Sequence, residues 1–168
     1  MKRVPLIAAL VVAATAFAAP LRIGTVKGSC SIKNENAVTL RHAAAFVDIK
    51  REGKPTVLVI SDIKLPVGKW TNVEDIALSR RLFTGAVLVL NKDNQRAEAS
   101  LYWKGKQYAG TYYLKLTLEQ PADGEYIGTV TTEREGRSGR AQRTKVPGTF
   151  SEPIEYLKFD AAFHTTLK

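Results

Sequence analysis

The sequence predicts an all-β fold, read as an antiparallel two-layer β-sandwich with one short helix near residues 72–82, and three observations predict it. Apolar and polar residues alternate along most of the chain, the period of strands with one buried face. Clusters of turn-forming Gly, Asn, Asp and Pro separate these runs at spacings of roughly 8–12 residues. Two runs, Thr56 to Ile60 and Gly85 to Leu90, are nearly continuous in Val, Leu and Ile, as central strands covered on both sides are. A closed β-barrel is the alternative, because period two does not separate the two architectures. The runs amount to eight or nine strands.

The chain opens with Met1-Lys2-Arg3, an apolar run from Val4 to Phe17, and small residues at Ala16-Phe17-Ala18-Ala19. A positive start, an apolar stretch and an A-x-A-like site are the layout of a secretory signal peptide. The expected cut follows Ala18, so residues 1–18 are the signal and 19–168 a single β domain. A spanning helix needs about 20 apolar residues; the stretch between Arg3 and Pro20 has 16. A lipid anchor at Cys30 is disfavoured too, because Lys27-Gly28-Ser29 precedes it, well beyond the apolar stretch. The expected location is periplasmic or extracellular, and nothing downstream is long and apolar enough to span a membrane.

The 150 residues after the cut suit one domain, and a chain of that size buries roughly two thirds of its unfolded surface. One cysteine excludes an internal disulfide, so packing and sheet hydrogen bonds must carry stability. Cys30 itself reads as a half-buried small hydrophobe, with a free reactive thiol or an intermolecular disulfide as the alternatives. The chain holds 25 basic and 16 acidic residues; without Lys2 and Arg3 the excess is near +7. Such an excess favours acidic partners, an anionic envelope polymer or lipid surface. It also keeps an exported domain soluble.

In chain order, His42 stands in the run Val38 to Phe46, in phase with Val38, Leu40, Ala44 and Phe46. Arg51 to Lys54 is a turn before the first continuous apolar run. Thr71-Asn72-Val73-Glu74 reads as a capping box: the Thr hydroxyl accepts from the Glu74 N–H and the Glu carboxylate reaches back. Acids at Glu74 and Asp75 and bases at Arg80 and Arg81 suit the two ends of a helix dipole. A helix here is expected to plug one end of the fold or cover a sheet edge. After Gly85 to Leu90 and the turn Asn91 to Asn94, Leu101 and Trp103 share an inward face with Ala97 and Ala99. Tyr102 and Tyr113, on either side of the turn Lys104-Gly105-Lys106, face outward and are candidates for stacking on a sugar ring. Cross-strand aromatic pairing explains Tyr102, Trp103, Tyr108, Tyr112 and Tyr113 without a ligand. Leu114, Leu116 and Leu118 alternate with Lys115, Thr117 and Glu119. After the turn Pro121 to Gly124 and the arginine-rich stretch, Leu157, Phe159, Ala161 and Phe163 do the same. His164 falls on the polar phase of that last strand.

The stretch Glu133 to Lys145 is a Gly- and Ser-containing loop with Arg134, Arg137, Arg140 and Arg143 at every third position, ending at Lys145. In an extended polyproline-like conformation three residues make a turn, so these arginines line one side. Guanidinium forks in a row can grip phosphates or sulfates. No aromatic is interleaved, as a single-strand nucleic-acid binder needs, and export removes that partner. Two histidines and one cysteine lack zinc spacing, so no metal or cofactor is expected. There is no Gly-x-Ser-x-Gly elbow, no HExxH and no phosphate loop. The leading expectation is an exported, non-catalytic binding protein engaging an anionic partner. A carrier of a small apolar ligand is the alternative and requires a cavity. An enzyme using His42 or Cys30 is the third, and a pocket holding both within hydrogen-bond reach would favour it.

Overall fold

A computed structural model describes residues 21–32, 35–78, 82–109, 114–132 and 158–168. Nine strands form one antiparallel sheet: β1 Thr25–Ser31, β2 Val38–Val47, β3 Thr56–Ser61, β4 Gly85–Leu90, β5 Arg96–Trp103, β6 Lys106–Ala109, β7 Leu114–Glu119, β8 Glu125–Thr132 and β9 Lys158–Thr166. The spatial order is β6-β5-β4-β3-β2-β1-β9-β8-β7. The all-β class therefore holds, and the opposed layers are two halves of a single sheet that curls over on itself. Hydrogen-bond pairing continues from β2 through β1 and β9 to β8, which makes the arrangement intermediate between a sandwich and a closed barrel.

Two contacts measure the curl. Thr56 on β3 and Tyr126 on β8 share a hydroxyl–hydroxyl hydrogen bond of 3.2 Å. In a flat sheet, with strands about 4.8 Å apart, those strands would stand about 19 Å from each other. Asn94, in the β4–β5 turn, donates to Gln120, just past β7, at 2.6 Å. The sheet thus nearly meets itself, and β6 and β7 remain its two edges among the described residues. The concave face is filled by Leu40, Leu58, Leu88, Leu101, Trp103, Phe159, Phe163 and their neighbours. Removing this apolar surface from water at about 25 cal/mol per Å² is the main favourable term holding the curl.

A second apolar layer explains the two continuous runs. The β3–β4 connection lies over the convex face, with Leu65, Val67, Ile76 and Phe83 packed on Phe46, Val57, Val59, Val87, Val89 and Tyr102. Every residue of β4 is buried. The connection contains a 3-10 turn, Val67–Lys69, and one helical turn, α1 Glu74–Leu78. The helix expected over 72–82 is thus shorter, and it covers a sheet face rather than an end or an edge. Its cap also sits one residue later. Asn72 Oδ1 accepts the N–H groups of Glu74 and Asp75, at 2.9 and 3.2 Å. The Asp75 carboxylate reaches back to the N–H groups of Thr71 and Asn72. Those bonds, that to the Thr71 N–H foremost, hold the Asp75 carboxyl below its ordinary range. Buried Asp48 anchors the connection by accepting from Lys50, Arg51 and Val73 N–H groups.

Candidate functional site

The seam of the curled sheet holds an open cleft of about 510 Å³. Asp93, Asn94, Gln95 and Arg96 line one wall, and Leu114, Lys115, Leu116, Leu118 and Gln120 the other. β6 pairs only with the Ser100–Trp103 end of β5, so the start of β5 faces the cleft with no strand on that side among the described residues. The Asn94–Gln120 bond closes one end of the gap.

Arg96 is the residue that alternation misplaces. Glu98, Ser100 and Tyr102 share one phase of β5, and strict period two puts Arg96 with them, facing out. A bulge intervenes: Val89 pairs with Glu98 but Leu90 pairs with Arg96, two steps on β5 against one on β4. Opposed residues of an antiparallel pair point to the same face, and Leu90 is fully buried in the inner core. The bulge therefore turns Arg96 inward, the re-aiming of a side chain that bulges produce. Its Nη1 is enclosed and has no hydrogen-bond partner. An enclosed donor left unmade costs about 1–3 kcal/mol, more when charged. Opposite stand Leu114, Leu116 and Leu118, the alternating leucines of β7, whose side chains pack on the inner core. The cleft thus sets Arg96 against a wall of Leu114, Leu116 and Leu118 that also carries Lys115.

The histidines and the cysteine do not converge. Cys30 is buried in the inner core, and burial, helped by the Asp62 charge, pushes its thiol up to about 12. His42 lies on the other face. Between Thr25↔His42 and Gly28↔Leu40, three steps of β1 oppose two of β2, and the inward phase of β2 passes from Leu40 to Ala43. His42 is therefore in phase with Ala44 and Phe46 but not, as alternation implied, with Val38 and Leu40. No Cys30–His42 dyad forms, because the sheet separates the two side chains. His42 and His164 flank Thr25 in one row of the convex face, about 10 Å apart at two strand spacings. No group of His, Cys, Asp or Glu suited to hold a metal ion occurs among the described residues.

His164 makes a different connection. Nδ1 lies 2.8 Å from the Leu21 carbonyl and Nε2 lies 2.6 Å from Glu125 Oε1. Both oxygens only accept, so both ring nitrogens must donate, which defines an imidazolium. The Leu21 carbonyl first, then Glu125, raise the His164 pKa, against the opposing effect of burial. This pair ties the segment before β1 to β8 and β9. Another ion pair, Lys104 with Glu35, sits beside Trp103; the Lys104 ammonium lies 5.6 Å from the Trp103 ring centroid. That ammonium is the main cause holding the Glu35 carboxyl below its usual range.

Of the residues singled out in the sequence, Tyr102 does lie on the outward face of β5. Its ring stacks on Phe83 at 4.6 Å and is only 8% exposed beneath the β3–β4 connection. Tyr113, the row Arg134, Arg137, Arg140, Arg143 and Lys145, and the signal peptide expected over 1–18 lie outside the described residues. No helix among the described residues is long and apolar enough to cross a membrane. Together these features define a curled single-sheet β half-barrel with a polar-and-apolar cleft at its seam. Comparison with protein-family models, with curated proteins and with solved structures finds no match.

Proposed function

We propose that this chain is an exported, non-catalytic binding protein of the cell envelope that engages an anionic surface or polymer. The observation that carries the reading is the charge: 25 basic against 16 acidic residues, with Arg134, Arg137, Arg140 and Arg143 spaced at every third position. Such a row gives a partner's phosphates or sulfates several guanidinium forks at regular intervals. The separation of Cys30 from His42 supports a binding role over an acid–base one. The test is retention on an immobilised sulfated polysaccharide and on anionic vesicles across a salt gradient. Wild-type protein is expected to bind with affinity falling steeply with ionic strength. Arg137→Ser/Arg140→Ser/Arg143→Ser is expected to elute earlier and with a flatter salt dependence. Unchanged elution of that variant sinks the reading. A second reading, carriage of a small ligand, is favoured by the seam cleft. The inner core is occupied by Phe159, Phe163 and the strand leucines, so the place for such a ligand is the seam.

A further inference from the structure

We propose that the seam cleft is a specific site for an anionic head group on an acyl chain, with Arg96 holding the head and Leu114, Leu116 and Leu118 the chain. The inference deepens, and rests on, the reading of an exported binding protein for anionic partners; it supplies that reading with a bounded site. Three observations lead to it. The β5 bulge turns Arg96 toward the concave side, where it lines the cleft half-buried. The guanidinium so placed has an enclosed Nη1 with no hydrogen-bond partner among the described residues. Among the described residues no acidic side chain forms an ion pair with Arg96, although Asp93 stands on the same wall.

A half-buried guanidinium with no ion-pair partner among the described residues is poised to take an anionic one. A carboxylate or phosphate oxygen on the cleft-lining side of the guanidinium makes a charge-assisted hydrogen bond. The wall opposite selects what the head is attached to. Leu116 and Leu118 are partly buried hydrophobics of the inner core that border the cleft. A bare anion leaves them in water; an acyl chain covers them. Asn94, Gln95 and Gln120 at the closed end offer amide groups to a head group that has two or more oxygens. The volume of about 510 Å³ lies within the about 300–1,000 Å³ of small-molecule sites.

The test uses the purified exported chain and titration calorimetry with dodecanoate, with dodecanol and acetate as controls. Dodecanoate is expected to bind at least tenfold more tightly than either control, since one lacks the charge and the other the chain. Arg96→Gln should weaken dodecanoate at least tenfold and leave dodecanol unchanged. Leu116→Ser should weaken both long-chain ligands alike. Thermal unfolding checks the fold: Arg96→Gln removes an unpartnered cation, so its midpoint is expected at or above that of the wild type. Vesicles containing phosphatidylglycerol form a second arm. Sensitivity to Arg96→Gln seen only with vesicles keeps the site and gives lipid phosphate as its head group. The absence of Arg96-dependent binding in both arms, with Arg96→Gln folded, overturns the proposal. If that absence coincides with a salt-dependent hold on sulfated polysaccharide, the surface reading stands and only the cleft falls. If the cleft variant alone changes binding and the arginine-row variant does not, the reverse holds.

Discussion

At the scale of single residues, burial and pairing decide which titratable groups are chemically available. Cys30 is almost wholly enclosed, and a thiol raised to about 12 carries almost no thiolate near neutrality. Folded protein at pH 8 is expected to resist iodoacetamide and to label fully in denaturant; comparable rates in both would contradict the buried placement. The sequence reading of Cys30 as a half-buried hydrophobe fell short of its full burial, which follows from its phase with Val26 on the inner face of β1. His164 is the opposite case, a group that works by being charged. Its pKa is raised above the ordinary 6.5, so its contribution to stability is fully present below that value. That contribution is lost as pH rises through the higher folded-state value. Above it the neutral ring can donate to only one of its two acceptors, and the hold on Leu21 or on Glu125 lapses. Amide exchange at Gly24 and Thr25 is expected to accelerate between pH 6 and 9 beyond the intrinsic base-catalysed rise. His164→Gln should exchange rapidly at both ends of that range. Exchange that follows the intrinsic rate alone in the wild type would remove the clamp. The outward phase of His164 was readable from alternation; its partners, on β8 and before β1, were not, since they are set by a sheet order that pairs residues far apart in sequence.

Among the elements, the strands were legible where pattern and burial coincide. Thr56 to Ile60 and Gly85 to Leu90 read as covered on both sides, and both are, because the β3–β4 connection supplies the second cover. What pattern could not show are its own interruptions. The bulges on β1 and β5 reverse the phase of His42 and Arg96, and an added ladder residue leaves no mark in composition. The helix was legible by its cap chemistry but overextended. Asn72, not Thr71, takes the capping position, and the following residues are drawn onto the sheet by Ile76. Close approach also fixes residue choice within strands. A Cβ at Gly85 would fall inside van der Waals contact of the Ile60 carbonyl on the neighbouring strand. Gly85→Ala is therefore expected to destabilise by about 1–3 kcal/mol, the range for overpacking a closed interior. Urea unfolding followed by tryptophan fluorescence measures it. A midpoint within error of the wild type would mean that β3 and β4 can separate at that end without cost.

For the whole molecule, the controlling fact is that β9 lies inside the sheet, between β1 and β8. β9 pairs with β1 along seven register positions, from Thr25↔His164 to Ser31↔Lys158, and with β8 on its other side. It also closes the gap where β1 ends. Leu167 bridges Ala45 on β2, and the Lys168 N–H donates to the Ala45 carbonyl at 3.1 Å. Without β9, β1 and β8 would each lose a ladder, and the inner core would lose Phe159, Ala161 and Phe163. Core truncations of a single Phe already cost about 3–5 kcal/mol, against a total stability of about 5–15 kcal/mol. The two halves of the curl cannot balance that loss separately, because Tyr126 and Thr56 meet only when the sheet is bent. A chain ending at residue 157 is therefore expected to lose its cooperative thermal transition by circular dichroism and to enhance the fluorescence of an apolar dye. Pairing of residues so distant in sequence also implies slow folding, since the loop must close before the contacts reward it. If the shortened chain kept a sharp transition near the wild-type midpoint, β2 to β6 with their overlying connection would be an independent folding unit. The seam would then be a joint between two bodies rather than the last gap in one.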